Sequence, residues 1–313
     1  MNFTDMFDLS YMVLDMLNVY STYSSHLAFQ MKRDRYYSLY MEDLCLRKIH
    51  IDIKRKTLEL NSPHYSLYDA ISEYYPDEAV KESYIESGAW SDKEFVNSIM
   101  KKYPKAFKTH HILSKYTKEL AKKYNTSIER VIDSFGYAYT RIRWNIDDND
   151  IKDIARLIRK GLEIFREYCT LFGLSNSTTY FSLNYRRKMI RKMRKYLDIS
   201  KELYAIILKL NSEIDLEYLK LSNYPIMKEY PYIILGLTGG RSGEIIIKIL
   251  EIENRYNLKI ILKDKKVSNR LDQLLTKIGF MKTQDELPTY SIDYPDINRL
   301  TEHLEKRILQ IIL

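Results

Sequence analysis

The chain has 313 residues, 45% of them hydrophobic and 29% charged, with a formal net charge of +8. That is the composition of a folded, soluble protein of about two domains, and with no apolar run near the ~20 residues that a bilayer crossing requires it excludes a transmembrane class. Two cysteines are too few for a disulfide framework or a cysteine-rich zinc site, six scattered histidines offer no metal-ligand set, and the first twenty residues carry Asp5, Asp8 and Asp15 in place of the basic start of a signal peptide, so the expectation is a reducing, cytoplasmic location without a metal.

Residues 1–48 read as helix, from apolar positions at Met12, Leu14, Met16, Leu17 and Val19 and then Leu27, Phe29 and Met31. Ile49 to Leu60 alternates apolar and polar residues around a basic Lys-Arg-Lys, which predicts a short hairpin, and Asn61-Ser62-Pro63 is a stop signal. Helical spacing returns over 66–102, with Trp90-Ser91-Asp92 as a helix start. Over 113–144, Leu120-Ala121, Asn125, Ser127 and then Ile128, Val131 and Ile132 have the pattern of a helix-turn-helix whose second helix presents Glu129, Arg130, Asp133 and Ser134. The plain alternative is a helical hairpin inside a bundle.

An amphipathic helix follows over 150–172, then a polar linker at 175–180. Residues 151–200 hold 12 Lys and Arg against 4 Asp and Glu, which is the whole net charge of +8. Seven of those bases fall between Arg186 and Lys195: Arg186, Arg187, Lys188, Arg191, Lys192, Arg194 and Lys195. On a helix they form a strip for a nucleic-acid backbone, with binding that falls steeply as salt rises, or else a solvated face packed through Met189, Ile190 and Met193.

A polar, acidic run at 211–220 leads to Pro225 and Pro231, which bracket the entry to a glycine-rich stretch. Four of the nine glycines (Gly236, Gly239, Gly240, Gly243) lie within eight residues, between apolar Tyr232 to Leu237 and Ile-rich Ile245 to Tyr256. We read a strand, a glycine turn, a helix over 245–256, a strand over 258–262 and a helix from Asn269 to Ile278 closed by Gly279. A strand, a bare-amide turn and a helix start together make a seat for phosphate.

The residues LTGGRSGE at 237–244, LKIILKD at 258–264, Asn269 and LLTKIGF at 274–280 resemble the cofactor-binding half of the GCN5-related N-acetyltransferases over about fifty residues. The resemblance implies acetyl-CoA held by Leu237, Thr238, Gly239, Gly240, Arg241, Ser242, Gly243 and Asn269. It also implies attack of an amine on the thioester, with Glu229 or Glu244 as general base and Tyr232 or Tyr290 as acid, because the family's tyrosine corresponds to Leu275. Thr238 to Glu244 is similar as well to the first arginine box of tyrosine recombinases, whose later boxes do not follow in the 69 residues after Glu244.

The sequence therefore points to an α+β protein: a mainly helical, basic region over 1–200, with the helix-turn-helix pattern at 113–144, followed by an acetyltransferase-like α/β module over 201–313. Two functions compete. One is an N-acyltransferase working on or near nucleic acid, and the other a non-catalytic nucleic-acid-binding or assembly protein on the same scaffold.

Overall fold

A computed structural model describes residues 3–19, 24–32, 36–43, 48–52, 55–63, 93–132, 138–147, 150–171, 183–223, 232–239, 243–263, 269–283 and 285–313. Helix α1 (Phe3–Val19) buries Met6, Phe7, Leu9, Val13, Leu14 and Leu17 at three- and four-residue spacing and stops there. Leu27, Phe29 and Met31 recur at every second residue, which is the period of a strand. The residues expected to continue the helix thus form β1 (Ser24–Lys32) and β2 (Tyr36–Asp43), paired antiparallel. The expected hairpin is present as β3 (Lys48–Asp52) and β4 (Thr57–Pro63), turning through Arg55 and a Lys56 with φ of 53°.

Helices α2 (Lys93–Lys102) and α3 (Pro104–Tyr124) come next, while the helix start at 90–92 lies outside the described residues. α3 ends in a left-handed Asn125. The β-branched Ile128, Val131 and Ile132 then form β5 (Ile128–Ile132), paired with β6 (Ala138–Asn145). The second helix of the pattern over 113–144 is a strand, so no helix-turn-helix forms there. α4 (Ile151–Leu171) matches the expected amphipathic helix, and α5 (Leu183–Leu210) carries the basic strip and runs on past it. The linker at 175–180 is outside the described residues.

The polar run at 211–220 supplies β7 (Asp215–Ser222), and β8 (Tyr232–Thr238) is the expected strand. The largest departure comes after it. Ile245 to Ile252 is strand β9, not helix, and it turns through Glu253 and Asn254, both at positive φ (46° and 66°), into β10 (Arg255–Leu262). Two consecutive positive-φ residues match the twist of a hairpin, and branched isoleucines pack well on a pleated surface. β8, β9 and β10 are an antiparallel meander in place of a β-α-β unit. α6 (Asn269–Lys277) closes on Gly279, and β11 (Met281–Thr283) and β12 (Thr289–Tyr294) follow. α7 (Ile297–His303) then passes through a π-helical turn, Leu304–Ile308, into α8 (Leu309–Ile312).

The fold is α+β: among the described residues before 200, helices hold most of the chain, and six strands, largely unexpected from the sequence, accompany them. The chain forms two compact units: Met1–Leu44, Asp52–Arg55 and Leu183–Leu313 in the first, Cys45–Ile51 and Lys56–Ser182 in the second. Strand order in the first unit is β11-β12-β10-β9-β8-β7-β1-β2, and in the second β3-β4-β6-β5. One face of the first unit's sheet is core: Leu219, Leu221, Ile233, Leu235, Ile247, Ile249, Leu258 and Ile260 are at most 2% exposed. Helix α5 covers β7, β8 and β1, and α7 covers β10 and β12. Side chains alternate across a sheet, so every residue between those core positions stands on the other face.

Candidate nucleic-acid interface

Three lysines sit between core neighbours: Leu219-Lys220-Leu221, Ile247-Lys248-Ile249 and Leu258-Lys259-Ile260. Each is forced onto the face away from the helices. The strand register puts them in one row, because Lys220 pairs with Ile234, Ile234 with Lys248, and Lys248 with Lys259. Lys248 and Lys259 are direct cross-strand partners, about 5 Å apart at Cβ, an arrangement in which like charges destabilise a sheet. No carboxylate partner is found for any of the three among the described residues. Instead, Lys220 lies 5.4 Å from the ring centre of Tyr218, and Lys248 5.9 Å from that of Tyr232. The row is cationic, with tyrosine rings and the half-exposed Ile234 and Ile246 between the charges.

Two glycines of the stretch, Gly236 and Gly239, are required by close packing. Gly236 faces Tyr218 across β7 and β8, and a Cβ there would run into the tyrosine ring. Gly239 has φ of 99° and packs against the backbone carbonyl of Glu213, where any side chain would collide. Gly243 is exposed, and Gly240, Arg241 and Ser242 lie outside the described residues. Leu237 pairs with Ile245 and Thr238 with Asp215, so both are sheet residues. The glycine stretch leads into β9, whose amides enter a sheet ladder. The helix end with its free N–H groups, which the resemblance requires for a diphosphate, does not form.

The described acid and base candidates, Glu244, Tyr232 and Tyr290, are not brought together. Tyr232 pairs with Leu250 at the far end of β8, roughly 20 Å of strand from the turn. Tyr290 is fully buried, and its hydroxyl donates to Asp272 at 2.8 Å; burial first, then that bond, raises its pKa. The carboxylate of Glu244 is ion-paired with Lys263, which holds the lysine's pKa up. Glu229 is outside the described residues, and Asn269 is the exposed first residue of α6. Leu275, in the place of the family's tyrosine, is a buried core residue.

The basic strip on α5 divides in two. Lys192 pairs with Glu251 at 3.0 Å, Arg194 with Asp15, and Lys195 donates to the Tyr256 hydroxyl at 3.3 Å, so these three hold the first unit together. Arg187, Lys188 and Arg191 are exposed, and Arg191 donates only to the Arg187 carbonyl. The Arg186 side chain lies outside the described residues. Among the described residues no group of His, Cys, Asp and Glu could hold a metal ion, and no helix is long and apolar enough to cross a membrane. The lysine row itself was missed in the sequence, although its signal was present there: three lysines, each flanked by aliphatic residues on both sides.

Searches against family models, curated proteins and solved structures found no match to this chain.

Proposed function

We propose that this protein binds single-stranded nucleic acid on the open face of the first unit's sheet, without an acyl-transfer reaction. The observation that carries the reading is the Lys248–Lys259 pair, two like charges held side by side on neighbouring strands, with Lys220 in the same row. Their repulsion is relieved by a polyanion, and every base has a π face that can stack on tyrosine. The exposed Arg187, Lys188 and Arg191 add a second, sequence-independent backbone contact. Acetyl-CoA has no part in this reading, since a strand stands where its pyrophosphate would need a helix start.

The test is fluorescence anisotropy with labelled single-stranded oligonucleotides at two salt concentrations. Replacing Lys220, Lys248 and Lys259 together by glutamine is expected to weaken binding equally for different sequences. It should also flatten the log K against log salt slope by about 0.7 for each phosphate no longer neutralised. Unchanged affinity and slope in that variant would remove the proposal, and heat on titration with acetyl-CoA would reinstate the enzyme.

A further inference from the structure

Among the described residues the order of elements occurs twice. From α1 to α4 it is helix, four strands, helices, two strands, helix; from α5 to α8 it is helix, four strands, helix, two strands, helix. Strand order repeats as well. β9-β10-β12-β11 in the first unit has its counterpart in β3-β4-β6-β5 in the second, and β2-β1-β7-β8 reads the same from either end once β1 is matched to β7 and β2 to β8. We infer that residues 3–171 and 183–312 are two copies of one α-β4-α-β2-α arrangement fused in one chain, with a local pseudo-twofold axis through the Ala28–Lys220 pair that relates α1, β1 and β2 to α5, β7 and β8 within the first unit. The chain holds within itself the contact that two such units would make as a dimer.

Local details recur at fixed offsets. β1 carries an irregularity between Ser24 and His26 where it pairs with β2, and β7 one between Leu216 and Tyr218 where it pairs with β8. The two are 192 residues apart. Ala28 and Lys220 are also 192 apart and pair with each other in the antiparallel β1–β7 ladder, which is what a twofold axis between equivalent strands requires. Bulges are placed features of a strand, so their agreement is not generic to antiparallel pairs.

The first helices agree in the same way, at an offset of 190. Asp8-Leu9-Ser10 in α1 matches Asp198-Ile199-Ser200 in α5. Both serines are fully buried, and each donates to the carbonyl four residues back, Ser10 to Met6 at 2.7 Å and Ser200 to Tyr196 at 2.8 Å. Tyr11 donates to Asp198 at 2.6 Å and Lys201 contacts Asp8 at 3.6 Å. Since Tyr11 and Lys201 are equivalent, these are one contact seen from each copy. All but one of the buried positions of α1 from Met6 to Leu17 fall on buried positions of α5.

The later elements carry matching ends. α3 closes on Asn125 (φ 47°), with the amides of Asn125 and Thr126 on the carbonyls of Lys122 and Ala121; α6 closes on Gly279 (φ 99°), with Gly279 and Phe280 on Thr276 and Leu275. α4 and α7 start under Asp150 and Asp296, whose carboxylates accept from the amides of Asp153 and Arg299 at 2.9 and 2.8 Å. These two ends sit 154 and 146 residues apart, so the shorter spacing reflects the extra chain around α2 and α3 in the first copy.

The copies have diverged on the open face. Matching the positive-φ turn residues Lys56 and Asn254 places Asn61 opposite Lys259 in the alignment of copies. Asn61 accepts from Arg141 at 3.2 Å, and the neighbouring Glu59 accepts from Arg143 at 2.8 Å, so the first copy neutralises its own bases. Each chain then binds a single strand, a consequence that rests on the lysine-row reading; the duplication does not.

The test is electron–electron distance measurement on the full chain, with Cys45 and Cys169 replaced by serine and nitroxides attached to introduced cysteines. Labels at Thr57 and Arg159 report the first copy, and labels at the equivalent Arg255 and Glu305 the second. The two distance distributions are expected to share one maximum. Labels at Asp15 with Asp198, and at Asp8 with Ala205, are related by the axis and are likewise expected to agree. Distinct maxima in either comparison would overturn the inference, whatever the glutamine variant does to oligonucleotide binding.

Discussion

The Tyr218 ring lies flat over Gly236 on the neighbouring strand, and the glycine has no Cβ because the ring occupies that space. A glycine in a strand interior normally weakens the sheet, and an aromatic partner laid across it restores the missing packing. Gly236→Ala is therefore expected to cost about 1–3 kcal/mol by overpacking, read from urea denaturation. In a Tyr218→Ala background the same change should be nearly free, and a double-mutant cycle without coupling would contradict the assignment.

The Lys248–Lys259 pair is a stability cost carried by the fold. Lys259→Thr leaves a β-branched residue opposite Lys248 and removes the repulsion, so the variant is expected to be more stable by a few tenths of a kcal/mol up to about 1. It should bind oligonucleotides more weakly at the same time. Melting followed by circular dichroism together with anisotropy checks both; a variant that loses stability along with binding would mean that Lys259 is a structural residue.

How far the sequence disclosed all this depends on which signal each element carried. α4 and α5 were legible because an amphipathic stripe persists over five turns or more, and the β3–β4 hairpin because alternation flanks a basic turn. β9 was not. Its isoleucines fill both faces of the strand, so no period separated it from a buried helix, and only the two positive-φ residues after it fix the hairpin. Asn125 closes α3 as it would close a helix-turn-helix hinge, and the state of residues 128–132 is decided by pairing with β6, which local spacing does not reveal. The duplication was hidden for a related reason. Its copies share caps, bulges and buried positions but hardly any residues beyond Asp-x-Ser, and its offset shifts along the chain.

Leu275 bears on the acetyltransferase resemblance directly. Restoring that family's tyrosine by Leu275→Tyr places a larger side chain with a hydroxyl in a site that is fully buried, and its carbonyl also caps the end of α6. Overpacking and an unpaired buried hydroxyl together should cost about 2–4 kcal/mol, with no gain of acetyl transfer. A stable Leu275→Tyr protein that consumes acetyl-CoA would reverse the reading of this position.

His303 gives the pH dependence a sign. Its ring is hydrogen-bonded to the Tyr294 hydroxyl at 2.7 Å in a cleft of about 510 Å³ that Arg299, Lys306 and Arg307 also line. Burial first, and the Arg307 guanidinium second, hold its pKa below 6.5. The unfolded chain then takes up the proton more readily, so this contribution to stability is full above pH 6.5 and declines as pH falls through the folded pKa. An NMR titration of the ring should show a midpoint below 6.5 that rises partway in Arg307→Gln, since burial remains. A midpoint unmoved by that change would mean the guanidinium does not act on the ring.

Ser10 and Ser200 provide the last prediction. Both are fully buried on helices that run antiparallel, as Asp8, Tyr11 and Asp15 of α1 against Lys201, Asp198 and Arg194 of α5 show, and both spend their hydroxyl on their own helix. A leucine at either fully buried site needs room that the packing does not leave, so Ser10→Leu or Ser200→Leu should each cost about 1–3 kcal/mol by overpacking. Ser→Ala removes only an intrahelical bond, and should change stability by about 1 kcal/mol or less at either site. If the two positions are equivalent across the axis, the paired variants Ser10→Leu and Ser200→Leu cost the same within error in urea denaturation. Costs that differ severalfold would show that the serines occupy unrelated environments.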